Sequence, residues 1–161
     1  MGIKGNDLIQ LDVKVLIDEL NKALADEWLA YYQYWIDSKV IVGPLRGAAV
    51  TELTEHAADE LRHADMLAER IIQLGGTPLL DPKEFGEKSN CDYLKPDDFK
   101  VKAIIQQGVE GERCAIEVYN KLLSMTKDKD LITYDLLLEI LKDEIEHEAD
   151  FVALLDDLAA I

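Results

Sequence analysis

The chain reads as an all-α protein, an antiparallel four-helix bundle with one long crossover between its second and third helices. Three observations predict this. Apolar residues recur with helical period through four long stretches. All 4 prolines and most of the 9 glycines fall outside those stretches. The segment between the second and third stretches is far longer than an ordinary helix–helix turn. With 161 residues, 48% of them hydrophobic, the chain is expected to form a single domain spanning 1–161 around a true core.

The first helix is expected over roughly 12–39. Asp12 is its candidate N-cap, and Leu16, Leu20, Leu24, Tyr31 and Tyr34 form its apolar stripe. Gly43 and Pro44 break the pattern. The second helix is expected over about 45–74, with Leu53, Ala57, Leu67, Ile71 and Leu74 on one face. Gly75 and Gly76 supply a C-terminal signal, and Pro78 forbids continuation. A polar stretch then runs to about Pro96, long enough to cross from one end of a bundle to the other. The third helix is placed at about 98–126, starting at Asp97 or Asp98, on a stripe of Val101, Ile105, Val109, Ile116, Tyr119 and Leu123. A short turn leads into the fourth, at about 131–159.

Net charge is −16, from 17 basic and 33 acidic residues. Sequence-independent binding to nucleic acid needs lysine and arginine against phosphate, so DNA binding is not expected. An acidic surface or cavity would concentrate cations, although simple solubility accounts for the charge equally well. No run of about 18 apolar residues exists to span a membrane. Residues 1–12 lack the apolar core of a signal peptide, so a cytoplasmic location is the expectation. The 2 cysteines, Cys91 and Cys114, are too few for a disulfide-stapled secreted scaffold.

The apolar stripes are interrupted by carboxylates. Glu27, Glu60, Glu112 and Glu144 each sit on the inward stripe of a different helix. A lone carboxylate in a bundle core costs several kcal/mol, and four together would raise one another's pKa values. Such an arrangement makes sense when positive charge lies between them. Two histidines complete the pattern, in Glu60-x-x-His63 and Glu144-x-x-His147, a spacing that puts both side chains on one helix face. Glu27 and Glu60 are 33 residues apart and Glu112 and Glu144 are 32 apart; Tyr34 and Tyr119 each lie seven beyond their glutamate. The chain therefore reads as two similar hairpins related by a two-fold axis. One glutamate from each of two helices plus Glu-x-x-His from the other two is the ligand set of a di-iron or di-manganese carboxylate bundle. By that symmetry Glu60 and Glu144 would bridge two ions, Glu27 with His63 would complete one, and Glu112 with His147 the other. The bland reading makes all six surface charges.

Other residues carry less. Glu110 points away from Glu112 by helical geometry and is the reserve ligand should the register differ. His56 is either a ligand to a third ion, a partner of the pair, or a partly exposed structural histidine. Tyr34 and Tyr119 either orient ligand carboxylates or fill the core. Glu55 and Asp59 either lead ions inward or form a solvated face. Trp28 and Trp35 read as core or interface residues.

These residues make the chain resemble the ferritin-like superfamily over nearly its whole length. The segment Ile140-Leu141-Lys142-Asp143-Glu144-Ile145-Glu146-His147 looks like the fourth-helix motif of bacterioferritins. Two features depart from them: Leu61 stands where bacterioferritins carry a haem-ligating methionine, so no haem is expected, and too few residues follow His147 for a fifth helix. The chain is more similar to the Dps-like group called thioferritins, which carry one cysteine in the long loop and one in the third helix, here Cys91 and Cys114. That resemblance implies two iron ions bound within each subunit, a dodecameric cage, and a redox-active or disulfide-prone cysteine pair beside the metals. It also implies ferroxidase activity, with hydrogen peroxide preferred over dioxygen and Fe(III) stored as mineral. Manganese or zinc would suit the same ligands. A rubrerythrin-like peroxidase or manganese catalase that stores nothing is the rival, though no Cys-x-x-Cys pair is present and Ala115 stands where rubrerythrins carry a further glutamate. A purely structural bundle is the remaining alternative.

Overall fold

The computed structural model describes residues 3–161. A short helix, α1 (Ile3–Asn6), precedes α2 (Val13–Val40), α3 (Arg46–Gln73), α4 (Phe85–Lys88), α5 (Val101–Thr126) and α6 (Leu131–Ala159). The long helices α2, α3, α5 and α6 are the four expected from periodicity. No helix among the described residues is long and apolar enough to cross a membrane.

The ends of the helices follow local chemistry. Asp12 caps α2, its Oδ1 accepting the N–H of Lys14 at 2.9 Å. Asp130 caps α6 through the Thr133 N–H. Behind α3, Gly75 adopts φ 86°. The Gly75 and Gly76 N–H groups donate to Ile72 and Ile71, a Schellman closure that a Cβ would strain. The start of α5 differs from expectation: it begins at Val101, not at Asp97 or Asp98. Phe99 and Lys100 are drawn into an isolated bridge with Val42, in which Val42 N–H donates to Phe99 O at 2.8 Å and Val101 N–H to Val42 O at 3.0 Å. Asp98 instead closes a local turn on the Lys100 N–H.

That bridge fixes the topology. The α2–α3 loop and the start of α5 lie at one end of the bundle. The segment before α2 meets the α5–α6 turn at the other end, through Gln10 N–H and Lys129 O. The hairpins α2–α3 and α5–α6 are each antiparallel, while α3 and α5 run parallel, so the crossover must travel the full length of the bundle. It contains a 3₁₀ turn (Pro82–Glu84) and α4, and it lies along α2, where Phe85 stacks on the half-buried Trp28 at 6.0 Å. Polar tethers hold its course: Asn21 accepts the Leu79 N–H, and Asp26 accepts from the N–H groups of Asn90 and Cys91 at 2.7 and 2.8 Å. A disulfide between Cys91 and Cys114 joins the crossover to α5. Trp35 is exposed rather than core.

The hydrophobic core forms two separate blocks. One contains Leu16, Leu20, Leu67, Ile71, Leu122, Leu137 and Ile140. The other contains Ile41, Leu53, Ile104, Ile105, Phe151 and Leu154. Along all four long helices the change from one block to the other falls at the same level, and the residues at that level are charged.

Two predictions concern stability. Arg70 and Asp130, both buried, are paired at 2.9 Å, and Arg70 also donates to Thr133. Asp130→Ala strands the guanidinium and removes the α6 cap, so urea unfolding should show a loss of about 3–5 kcal/mol. The disulfide closes a loop with a sequence separation of 23, and Cys91→Ser should cost about 3 kcal/mol while leaving metal stoichiometry unchanged.

Candidate metal centre

The level between the two core blocks is filled by Glu27 from α2, Glu60 and His63 from α3, Glu112 from α5, and Glu144 and His147 from α6. All six are buried, none more than 3% exposed. Their donor atoms fall into two groups, each with all atoms within 4.8 Å of one another: Glu27, Glu60, His63 and Glu144, and Glu60, Glu112, Glu144 and His147. Glu60 and Glu144 are common to both. His63 Nδ1 lies 3.4, 3.3 and 3.2 Å from Glu27, Glu60 and Glu144. His147 Nδ1 lies 3.5, 3.8 and 3.6 Å from Glu60, Glu112 and Glu144. Both imidazoles thus aim the same ring nitrogen at the carboxylate cluster.

The cluster is not satisfied by its own protein partners. Glu27 Oε2, both Glu144 oxygens and His147 Nδ1 have no hydrogen-bond partner among the described residues. Buried unpaired polar atoms are costly, and these all face the same small space. Carboxylate and imidazole in that ratio suit first-row transition ions, so the donor set fits two of them.

Electrostatics point the same way. Burial, aided by the Glu60 charge, pushes Glu27 well above the usual carboxylate range. Burial and the Glu144 and Glu60 charges do the same to Glu112. For Glu60, burial alone would raise the pKa, but the two imidazoles outweigh it and hold the carboxyl low. Burial alone would lower both histidines; the carboxylates around them prevail, raising His63 strongly and His147 to about 10. Two imidazolium charges therefore occupy the place that cations would take.

Around this centre lies a set of orienting contacts with the symmetry of the two hairpins. The Tyr34 hydroxyl donates to Glu112 at 2.5 Å, and the Tyr119 hydroxyl donates to Glu27, so each hairpin's tyrosine holds the other's glutamate. The outer nitrogen of His63 lies 3.1 Å from Asp143, and that of His147 lies 3.4 Å from Asp59. A carboxylate behind a histidine fixes its tautomer and raises its basicity. Asp143 is itself held by Arg62 at 2.5 Å. Sequence reasoning assigned nothing to Asp143 or Arg62. The signal was present in the twin Asp-Glu-x-x-His runs, Asp59 to His63 and Asp143 to His147, in which each aspartate serves the histidine of the other run.

Glu110 is exposed, away from the cluster. His56 is fully buried rather than partly exposed, its ring stacked on His147 with centroids 4.0 Å apart. Burial, reinforced by His147, pushes its imidazole down to about 3. Glu55 is exposed and Asp59 half-buried.

The centre opens on two sides of different character. Between α2 and α5, a cavity of about 60 Å³ reaches Glu27, Glu60, Glu112 and Glu144 beneath the crossover segment 91–94, with Leu29, Ala30 and Ala115 in its walls. Between α3 and α6, a cavity of about 160 Å³ is lined by Glu52, Glu55, His56, Asp59, Asp143, Glu146, His147 and Asp150. One entrance lies beneath the crossover and is largely apolar; the other has no crossover residue in its lining and is acidic.

The chain is similar in sequence and fold to known proteins. The sequence model of the ferritin-like domain family matches residues 17–161. A protein from Pyrococcus furiosus named DNA protection during starvation protein is 42% identical over 90% of this chain and 79% of its own length. A bacterioferritin from Desulfovibrio desulfuricans is 29% identical over 82% of this chain and 69% of its own. A dodecameric thioferritin from Bacteroides fragilis, described as bacterioferritin-related, superposes with a TM-score of 0.93 at 46% identity, covering 94% of this chain and 90% of that one.

The electrostatics give a pH dependence with a definite sign. In the metal-free centre both histidines carry a proton, and a metal ion needs the neutral rings. Binding therefore releases protons, and affinity rises with pH. Because His147 loses its proton only near pH 10, the rise should persist throughout the neutral range. Anaerobic Co(II) titrations at pH 6, 7 and 8 should show the apparent Kd falling about tenfold per unit for each proton displaced. An affinity independent of pH would contradict the protonated centre.

Proposed function

The chain belongs to the ferritin-like domain family, and on that premise we propose that it is an iron-storage and detoxification protein with ferroxidase activity. The observation that carries this reading is the pair of donor groups sharing Glu60 and Glu144 within a single chain. In this reading Glu60 and Glu144 bridge two Fe(II) ions, Glu27 and His63 complete one site, and Glu112 and His147 the other. Iron is the substrate: two Fe(II) give up one electron each, and hydrogen peroxide with two protons becomes two waters. Dioxygen is the alternative oxidant.

The surroundings support a division of labour. The acidic cavity between α3 and α6 favours the approach of cations. The covered cavity between α2 and α5 suits a small neutral oxidant. Tyr34 and Tyr119 hold Glu112 and Glu27 in place, and Asp143 and Asp59 orient the two histidines. The likeness to a dodecameric thioferritin supports a twelve-subunit cage that retains the Fe(III). A cytoplasmic setting belongs to the same proposal. The charge of −16 argues against a grip on DNA through its phosphates.

The test loads the purified assembly anaerobically with several hundred Fe(II) per cage and adds peroxide. Two Fe(II) should be consumed per peroxide, the iron should stay soluble and co-elute with protein, and Glu60→Gln should reduce oxidation to background. Catalytic loss of peroxide without retained iron would favour a rubrerythrin-like or catalase-like enzyme instead. A monomer by mass measurement would rule out the cage.

A further inference from the structure

Two glutamines outside the six-residue cluster line the cavity between α2 and α5: Gln33 from α2 and Gln107 from α5. Each keeps a buried amide oxygen that has no hydrogen-bond partner among the described residues. Gln33 is only 8% exposed. Its orientation is settled by a neighbour, because Nε2 donates to Asp37 Oδ2 at 2.7 Å. Turning the amide over would set its oxygen against a carboxylate. Asp37 is itself buried. Gln33 Oε1 is therefore held as an acceptor without a donor, and buried acceptors of that kind take a bound molecule when the space allows one.

The two amides stand on the same side of the cluster. Gln33 lies six residues past Glu27, and Gln107 lies five before Glu112. The helices α2 and α5 run antiparallel, since Val42 just beyond the one pairs with Lys100 just before the other. Both offsets therefore lead toward that bridge, by about 9 and 8 Å along the helix axes. The cavity that holds the amides also reaches Glu112 and Glu144. Gly111, one turn past Gln107, lines the way between them and presents no side chain to block it. With a volume of about 60 Å³, the cavity admits a molecule of two heavy atoms, since a single water needs only about 10–15 Å³.

We propose that Gln33 and Gln107 form a hydrogen peroxide subsite in this cavity, their amide oxygens accepting its two O–H groups. Peroxide is small and neutral and carries a donor at each end. Dioxygen has no donor to offer, so the same amides leave it unheld. The largely apolar walls strengthen the two hydrogen bonds. The subsite would raise the local supply of peroxide beside the cluster and set the preference between oxidants. Gln33 and Gln107 are specificity-determining residues in this scheme, and Asp37 is a positioning residue that acts through Gln33. The binding stands on the cavity alone; the selection of an oxidant rests on the ferroxidase reading.

The experiment has two arms. In the first, crystals of the intact assembly loaded with redox-inert Zn(II) are soaked in hydrogen peroxide. Density for two bonded oxygen atoms is expected between Gln33 Oε1 and Gln107 Oε1, absent from unsoaked crystals. In the second, Fe(II) oxidation is followed with peroxide and with dioxygen, and kcat/KM is compared. Gln33→Met and Gln107→Met should each lower the preference for peroxide over dioxygen by about tenfold, through a raised peroxide KM. Gln107 is half-buried, so its variant remains informative should Gln33→Met strand Asp37 and fail to fold. Separate waters at the amides with and without peroxide, an unchanged preference, or equal losses with both oxidants would overturn the inference and leave the ferroxidase reading standing. Native protein that oxidises Fe(II) with neither oxidant, yet shows the peroxide density, would sink that reading and keep the subsite.

Discussion

The structure turns on the burial of four carboxylates at one level of a helical bundle. Left alone, Glu27, Glu60, Glu112 and Glu144 would repel one another in a low-dielectric interior and oppose folding. Positive charge must lie among them. Without metal it comes from His63 and His147, whose pKa values the carboxylates raise. For His147 this contribution is fully present below its ordinary pKa near 6.5 and is lost as pH rises through about 10. In the proposed reading, metal cations would replace those protons and satisfy the oxygens that remain unpaired. The two apolar blocks above and below supply the stability that lets such a layer persist.

The crossover is the second consequence. Running α3 and α5 parallel forces a full-length connection, and that connection covers only the α2–α5 side. Asp26, Asn21 and the Cys91–Cys114 disulfide fasten it there. The α3–α6 side stays uncovered, and its lining is almost entirely acidic. One topological choice therefore gives a symmetric cluster two dissimilar approaches.

The six inward residues were legible because each rule they obey is local: a carboxylate on an apolar stripe, a histidine three residues on, the spacing repeated. Contacts between distant segments were not. Tyr34 and Tyr119 had two readings until the hairpins were docked, since a phenol on a core face serves equally as filler. The Asp26 and Asn21 tethers join residues some sixty positions apart and leave no periodic trace. Asp98 imitates a helix cap, and only the pairing of Phe99 and Lys100 with Val42 shows why α5 starts later. The cysteine pairing came from resemblance, not from spacing. Asp59 and Asp143 stood in plain view in twin Asp-Glu-x-x-His runs, but their exchange between histidines follows only from the two-fold arrangement.

That two-fold arrangement is broken at particular residues, and the breaks distinguish the two halves of the centre. Behind His63, Asp143 is clamped by Arg62, which also reaches Asp59 and Glu139. The residue matching Arg62 in the second run is Glu146, which cannot make such a clamp. On the His147 side the neighbour is instead His56, stacked and unpaired, facing the open acidic cavity. Arg62 lies directly against His63, while a cavity lined by carboxylates and the unpartnered imidazole of His56 lies against His147. The six residues repeat, but their surroundings do not. The half containing Glu112 and His147 is therefore the one electrostatically coupled to the open side.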